Sequence, residues 1–329
     1  LPPSRRAPHA GAGEQGPQAV PEEWDQPMAK AFGFVDYGGA EVQEFLDRPV
    51  LAPGPGQLAI TVRAAGVNPV DWKIRRGHLG RERELPAVMG QEASGVVQQV
   101  GPGVTAFTPG DEVFGLVAAG GFAEQTLLRA ELSALKPEAV DFDRAAVIGV
   151  SVATADDALR QLALGAGRTL LILGIAGGVG SAVAQLARRQ GLNVLGTASD
   201  ANRPFVESLG ATQVRYGDGV AERIAAAAPD GVDAILDLVG GDALRAVAAV
   251  RTDRTELVST ADPATAAELG GKPVDRSTTS ETLAALAALV AVGDLDPHIT
   301  GRHPLARAAE AVAAVESGHV RGKVVIEVA

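Results

Sequence analysis

Glycines spaced three residues apart follow a short apolar run near the middle of the sequence. Residues 170–180 read LLILGIAGGVG, which places Gly174, Gly177 and Gly180 in a G-x-x-G-x-x-G pattern directly after strand-like residues. At a strand-to-helix turn, glycines let the backbone approach a pyrophosphate, and the first amides of the helix bind its charge. With a helix predicted from Ser181, the pattern predicts a dinucleotide site. The alternative is a glycine turn that packs strand against helix and binds no ligand.

The end of the next predicted strand bears on which dinucleotide binds. Twenty residues after Gly177, where an acid would contact an unphosphorylated ribose, the sequence has Thr197, followed by Ser199 and Arg203. Hydroxyls and a guanidinium suit a 2′-phosphate, so the sequence favours NADPH, with NADH as the second choice. Asp200 lies among them and would either repel that phosphate or cap the helix predicted to begin near Arg203.

These residues need a parallel sheet to position them, and the second half of the sequence predicts one. From about residue 151, apolar runs such as TLLILG, NVLGTA and DAILDLV alternate with helical segments such as SAVAQLARRQ, which is typical of βαβ units. Earlier residues instead show short alternating runs broken by glycine and proline, which predict a small β-barrel. Near the C-terminus, one amphipathic helix and one strand are predicted to return to that barrel.

The sequence therefore predicts an α/β protein of two domains. Residues 28–150 together with 297–329 are assigned to a barrel-type catalytic domain, and residues 151–296 to a doubly wound, parallel-sheet dinucleotide-binding domain. Residues 1–27 are rich in proline, glycine, alanine and charge, and they predict a flexible N-terminal extension.

Composition argues against several function classes. The 329 residues carry a formal net charge of −11 and no basic block, which argues against nucleic acid and anionic membranes as partners. The sequence contains no cysteine, which excludes disulfides, thiolate nucleophiles and cysteine-ligated metals. Residues 169–187 are uncharged, but their central glycines favour a strand-turn-helix unit over a membrane span. No hydrophobic signal core is visible, so a cytoplasmic location is expected.

Several motifs, taken in order, resemble the medium-chain dehydrogenase/reductase superfamily, and within it the zinc-independent quinone oxidoreductase branch. The motifs are GVNPVDW, GQEASG, GGFAEQ, ILGIAGGVGSA and GHVRGKVVI, and the resemblance runs from about Met28 to the C-terminus. It implies a GroES-like catalytic domain, a Rossmann domain and a cleft between them, where NADPH delivers hydride to a quinone or an α,β-unsaturated carbonyl. It also implies a small-molecule substrate and a homodimer.

The resemblance also indicates whether the protein binds zinc. Zinc-dependent members have a ligand cysteine where this chain has Asn68 and a ligand histidine where it has Gln91. Amides cannot replace thiolate and imidazole donors, so no metal is expected. Reduction of an enone needs a hydrogen-bond donor at the carbonyl oxygen, and Asn68 is the first candidate for this catalytic and substrate-binding contact. The alternative for Asn68, which precedes a proline, is an Asx-turn.

Residues near Asn68 extend the predicted substrate site. Trp72 and His78 are candidates for substrate binding, and His78 lies where related enoyl reductases carry a tyrosine proton donor. His78 would either donate a proton or be a solvated loop residue. Asp71 would be a cap or a general acid, and Glu92 would pair inside the barrel.

The resemblance also extends the cofactor site beyond the glycine turn. The full set of candidate cofactor residues, from the glycine turn, the ends of the predicted strands and the resemblance together, is Thr154, Ala176, Gly177, Gly178, Val179, Gly180, Thr197, Ser199, Arg203, Tyr216, Val239, Gly240, Thr260 and Lys323. The alternative for Tyr216 is a core residue, and for Lys323 an exposed strand-edge lysine. Two function classes stay open, namely an NADPH-dependent reductase and a nucleotide-binding protein of the same fold with little turnover. An alcohol dehydrogenase is a third.

Overall fold

Two six-stranded sheets organise residues 27–329, the part of the chain that the computed structural model describes. One sheet is mainly antiparallel and the other is entirely parallel. Except for its last residue, the extension predicted for residues 1–27 lies outside the described part. Across residues 27–329, no helix is long and apolar enough to cross a membrane.

The first sheet closes into a barrel. Its part of the chain contains β1 (Met28–Phe34), β2 (Gln43–Pro49), β3 (Gln57–Val67), α1 (Pro69–Arg75), β4 (Ala87–Val88), β5 (Glu92–Val100), β6 (Glu112–Val117), β7 (Gln125–Leu135) and α2 (Phe142–Ala145). β3 pairs with β5, β5 with β6, β6 with β7, and β7 again with β3, while β1 pairs with β2 and β4 in a separate three-stranded sheet. Leu58, Ile60 and Val62 alternate along β3 and point into the core, as expected for a strand with one buried face.

The second sheet is parallel, with helices between its strands. These elements are α3 (Ala153–Leu162), β8 (Thr169–Leu173), α4 (Gly178–Arg189), β9 (Asn193–Ala198), α5 (Arg203–Ser208), β10 (Thr212–Arg215), α6 (Val220–Ala227), β11 (Ala234–Asp237), α7 (Gly241–Ala246), β12 (Glu256–Ser259), α8 (Pro263–Glu268), β13 (Lys272–Pro273) and α9 (Ser280–Ala291). The strand order is β10-β9-β8-β11-β12-β13, so the order reverses at β8. Ligands of open parallel sheets bind at such a reversal, beyond the carboxyl ends of the strands.

The last elements return to the barrel. They are β14 (Ile299–Pro304), α10 (Ala308–Glu316) and β15 (Lys323–Glu327), and β15 pairs with both β3 and β14. The sequence predicts only one strand here, and β14 is an additional one. Its residues ITGRHP alternate between partly buried and exposed, and its glycine and proline hide the strand pattern. Arg75 of α1 is fully buried and pairs with Glu316 of α10 at 2.8 Å, which fixes this return.

Short turns of tighter or wider helix complete the fold. The 3₁₀ turns are Ala40–Val42, Asp200–Asn202, Ala248–Val250 and Leu305–Arg307, and a π-helical turn spans Ile148–Val152. The π-turn lies directly before α3, between the barrel and the parallel sheet. Such wide turns are frequently found at functional sites.

The glycine turn joins β8 to α4 at the reversal point. The helix begins at Gly178, earlier than the predicted start at Ser181, and Gly174 has a φ of +81°, which favours glycine. A Cβ on Gly180 would lie 2.6 Å from both the Gly174 oxygen and the Ile175 Cα, so this glycine lets the helix pack on the strand. A Cβ on Gly177 would meet only the Gly174 oxygen, at 3.6 Å, so the space outside Gly177 is open.

Alanine substitutions at these two glycines should affect stability differently. Gly180→Ala should lower the free energy of unfolding by about 1–3 kcal/mol, because its methyl group would overlap backbone atoms that cannot move independently. Gly177→Ala should leave stability nearly unchanged, because its methyl group has room. Chemical denaturation of both variants beside the wild type measures the difference, and equal losses would contradict the assignment of Gly180 to packing.

Candidate functional site

A buried lysine lies at the centre of the candidate site. Lys323, at the start of β15, is 4% exposed, so the alternative of an exposed edge lysine is wrong. Its Nζ donates to the Val67 carbonyl oxygen at 3.1 Å, to Asn68 Oδ1 at 2.5 Å and to Glu92 Oε1 at 3.3 Å. An ammonium has three protons, and a buried one needs a partner for each. The pairing of β15 with β3 supplies Val67 and Asn68, and β5, which pairs with β3 on its other side, supplies Glu92.

Asn68 is held from both ends of its amide. Its Oδ1 accepts from Lys323, and its Nδ2 donates to Glu92 Oε1 at 2.8 Å and makes a long 3.4 Å contact with the Gly66 oxygen. The second oxygen of Glu92 accepts from the backbone N–H of Val150 at 2.7 Å. The side chain of Asn68 therefore bridges two charged groups. One Nδ2 proton has only the long contact.

The glycine turn packs directly against this buried cluster. The backbone N–H of Gly322 donates to the Ala176 oxygen at 2.8 Å, and a Cβ on Gly178 would lie 2.4 Å from Cδ of Lys323. Gly178 thus gives the lysine stem the space to pass from β15 to Asn68. The structure brings the predicted cofactor turn and the predicted substrate residue Asn68 into one site.

Two of the three predicted threonines support the surrounding backbone through their hydroxyl groups. Thr154 is buried and donates to the Val150 oxygen at 2.6 Å, one turn back along its helix. Thr197 is also buried, and its hydroxyl oxygen accepts from the N–H of Gly174 at 3.1 Å. Thr197 therefore holds the glycine turn, which is a different contact from the 2′-phosphate bond that the sequence suggests.

Asp237 is a site residue that sequence reasoning missed. It is fully buried at the end of β11, and Oδ1 accepts from the N–H groups of Val239 at 3.0 Å and Gly240 at 2.8 Å. Its Oδ2 accepts from Ser259 Oγ at 2.6 Å, and its backbone oxygen accepts from the N–H of Thr260 at 3.0 Å. The carboxylate thus fixes two predicted cofactor positions, Val239 and Gly240, and the backbone oxygen of the same residue fixes a third, Thr260, while the side chain of Val239 remains 53% exposed. An acid directly after a buried strand was the available signal.

The residues predicted to bind the adenosine end of the dinucleotide lie beyond the carboxyl ends of β9 and β10. Ser199, Asp200, Arg215, Tyr216 and Gly217 line a pocket of about 380 Å³. Tyr216 is 55% exposed, so it is not a core residue.

The prediction that Asp200 caps the helix beginning near Arg203 is wrong. Asp200 belongs to the 3₁₀ turn before α5, and Asn202 is the residue that precedes the helix. The extra turn displaces the carboxylate of Asp200 from the amides that begin α5.

Trp72 lies in the middle of α1, and His78 follows the helix in the chain. Their rings meet edge to face with centroids 5.9 Å apart, and His78 is exposed. The indole Nε1 of Trp72 is buried and has no hydrogen-bond partner within the described residues. The structure places both beside the barrel, and neither forms a hydrogen bond with the Lys323 cluster.

Asp71 is buried one helical turn from Asn68. Its Oδ2 accepts from the backbone N–H of Asn68 at 2.8 Å, which is the capping role, and its Oδ1 has no partner in the part of the chain described. Burial raises the pKa of Asp71 to about 7, against the opposing effects of the Asn68 N–H and the Lys323 charge. With a pKa of about 7, the carboxyl group of Asp71 titrates near neutral pH.

The donor atoms present do not suit zinc. The two positions that carry zinc ligands in related enzymes are the amides Asn68 and Gln91, and the Glu92 carboxylate is committed to Lys323, Asn68 and Val150. Among residues 27–329, no group of three or more histidine, cysteine, aspartate or glutamate side chains is arranged to hold a metal.

Comparison with known proteins connects this geometry to a family. The family described as "Alcohol dehydrogenase GroES-like domain" matches residues 54–138, and "Zinc-binding dehydrogenase" matches residues 209–326. The chain is 33% identical over 314 residues to an NADPH-dependent alkenal/one oxidoreductase of Arabidopsis thaliana, covering 90% of this chain and 79% of the relative. It is 32% identical over 310 residues to quinone oxidoreductase of Homo sapiens, covering 87% and 93%.

A solved structure agrees with these relatives. The Escherichia coli quinone oxidoreductase complexed with NADPH has a TM-score of 0.83 and 25% identity, covering 91% of this chain and all of that one.

Asp71 predicts a specific dependence of stability on pH. The native pKa of about 7 exceeds that of the unfolded chain, so the native state binds this proton more tightly. The resulting stabilisation is full below about pH 4 and is lost as the pH rises through 7, and it amounts to no more than about 4 kcal/mol.

Asp71→Asn keeps an oxygen for the Asn68 N–H and removes the titration. Unfolding free energies from pH 4 to 8 should show wild type losing stability relative to the variant across this range. The exposed Asp230→Asn should follow the wild type, and parallel profiles for wild type and Asp71→Asn would contradict the assignment.

Proposed function

Since the chain belongs to the medium-chain dehydrogenase/reductase superfamily, in its quinone oxidoreductase branch, we propose that it is an NADPH-dependent reductase of quinones or α,β-unsaturated carbonyls. The names of the relatives support this reaction class. The observation that carries the proposal is the buried Lys323–Asn68–Glu92 cluster, which lies against the glycine turn. It brings a polarised amide next to the place where a dinucleotide would lie.

The residues present fit NADPH. The open space outside Gly177 and the first amides of α4 suit a pyrophosphate, and the Asp237-supported Val239 and Gly240 lie at the same edge of the sheet. Ser199, Arg203 and Tyr216 lie where the adenosine end would be, and a guanidinium favours the 2′-phosphate of NADPH over NADH. When bound, this cofactor supplies the hydride.

Asn68 would act on the substrate oxygen. The Nδ2 proton that has only the 3.4 Å contact with Gly66 is the donor we assign to a substrate carbonyl. The ammonium of Lys323 on Oδ1 draws electron density from the amide, which strengthens its N–H donors. A donor of this kind stabilises charge that develops on the carbonyl oxygen during reduction.

Activity measurements with Asn68→Ala test this reading. NADPH consumption is followed with a quinone, an aliphatic enone, an enoyl thioester and an aldehyde. We expect turnover of the quinone or the enone, and a fall in kcat of about 10²-fold in Asn68→Ala with NADPH binding retained, because an oxyanion donor is lost. Asn193→Ala removes an exposed amide at the opposite end of β9 and should be as active as wild type.

The other outcomes point to the alternatives. Tight NADPH binding with no turnover of any acceptor would favour a nucleotide-binding protein of the same fold. Turnover of the aldehyde alone, with stoichiometric zinc in the purified protein, would favour an alcohol dehydrogenase. Equal kcat values for Asn68→Ala and wild type would remove Asn68 from the chemistry.

We also propose that the protein is a cytoplasmic homodimer that pairs through an edge of the parallel sheet, which ends in β10 on one side and β13 on the other. An edge strand presents free backbone groups to a second copy. Light scattering should give twice the chain mass of 33.5 kDa, and a mass equal to one chain would contradict the pairing.

A further inference from the structure

An aspartate lies between two arginines beside the pocket at the ends of β9 and β10. Nη2 of Arg203 lies 3.6 Å from Asp200 Oδ1, and Nε of Arg215 lies 3.7 Å from Asp200 Oδ2. Both distances exceed those of good hydrogen bonds, and all three side chains are more than half exposed. Such loose, solvated ion pairs contribute little to stability, so the carboxylate can be displaced.

The backbone that presents Arg215 is fixed, although its side chain is free to move. The guanidinium of Arg223 donates to the carbonyl oxygens of Arg215 at 3.0 Å, Gly217 at 3.1 Å and Asp218 at 2.8 Å. One side chain thus holds the whole turn after β10, including the wall of the 380 Å³ pocket. Arg215 therefore starts from a defined position at the rim of that pocket.

The net charge of Arg203, Asp200 and Arg215 favours the binding of an anion. Two guanidinium groups face one carboxylate, so the group carries a net positive charge in a chain whose formal net charge is −11. A phosphate monoester carries more negative charge than a carboxylate and offers three acceptor oxygens. It would bind two arginines more strongly than Asp200 does, because its greater charge and its third oxygen allow charge-assisted hydrogen bonds to both guanidinium groups at once.

We propose that Arg215 is a second guanidinium for the 2′-phosphate of NADPH, alongside Arg203, and that Asp200 is an internal counter-ion that this phosphate displaces. The inference rests on the proposed use of NADPH and adds the residues that set the choice of nucleotide. NADH lacks the phosphate and leaves Asp200 between the arginines. Asp200 modestly weakens the binding of NADPH, because the phosphate must displace it, while the two arginines strengthen that binding.

Binding measurements on the full chain test the proposal. Dissociation constants are determined for NADPH, NADH, 2′,5′-ADP and 5′-AMP with wild type, Arg215→Gln, Asp200→Asn and Arg188→Gln. Arg215→Gln should weaken NADPH and 2′,5′-ADP by about tenfold or more and leave NADH and 5′-AMP unchanged. Asp200→Asn should tighten NADPH and 2′,5′-ADP. Arg188→Gln removes the same charge from the exposed last turn of α4, far from the pocket, and should change nothing.

Salt provides a second readout that a structural role would not move. The affinity of wild type for 2′,5′-ADP should fall more steeply with salt than that of Arg215→Gln, because one charge contact is missing in the variant. Unchanged NADPH affinity in Arg215→Gln, or equal weakening of NADPH and NADH, would overturn the inference while the reductase proposal stands. Wild-type protein that prefers NADH, or binds neither nucleotide, would overturn the inference and the proposed NADPH dependence together.

Discussion

The buried ammonium of Lys323 is the constraint on which the rest of the site depends. An unpaired charge in a protein interior is strongly unfavourable, so its three oxygen partners must be in place whenever the chain is folded. The antiparallel register of β15 on β3, with Val324 opposite Val67, puts Lys323 level with Asn68. β5 begins with Glu92 and supplies the counter-charge. The amide of Asn68 then has a single favourable orientation, because its oxygen must face the ammonium.

The two ends of the site differ in burial and in how strongly each side chain depends on its partners. Around Lys323, polar atoms are buried and their hydrogen bonds are mutually dependent, so one replacement leaves another group without a partner. At the adenosine end, Arg203, Asp200 and Arg215 are solvated, and water can replace any lost contact. The proposed catalytic cluster is therefore held rigidly, while the proposed phosphate site can adjust by the movement of long, exposed side chains.

Local pattern was sufficient to predict the parallel sheet and the glycine turn. Strand, glycines and helix follow one another within about twenty residues of sequence, so neighbouring residues alone define them. The barrel was indicated by its turns, but its closure through β3 and β7 could not be predicted, since pairing depends on distant strands. β14 was missed because its glycine and proline interrupt the alternation on which strand prediction relies.

The roles of individual residues were harder to predict than the elements that carry them. GKVVI is as compatible with an edge lysine as with a buried one, and only the docking of β15 decides between them. Thr197 was placed correctly at the end of its strand, yet its hydroxyl bonds Gly174. Asp237 carried the general signal of an acid at the end of a buried strand, but one of its three partners, Ser259, ends a different strand, and the pairing of β11 with β12 that brings it close is not visible in the local pattern.

The separation along the chain between the partners of Lys323 has a consequence for folding. Asn68 lies 255 residues before Lys323, and Glu92 lies 231 residues before it. Contacts over such distances close large loops and form late. A chain in which β15 has not docked on β3 has no positive charge behind Asn68. The role proposed for Asn68 therefore makes activity depend on the docking of the last strand of the chain.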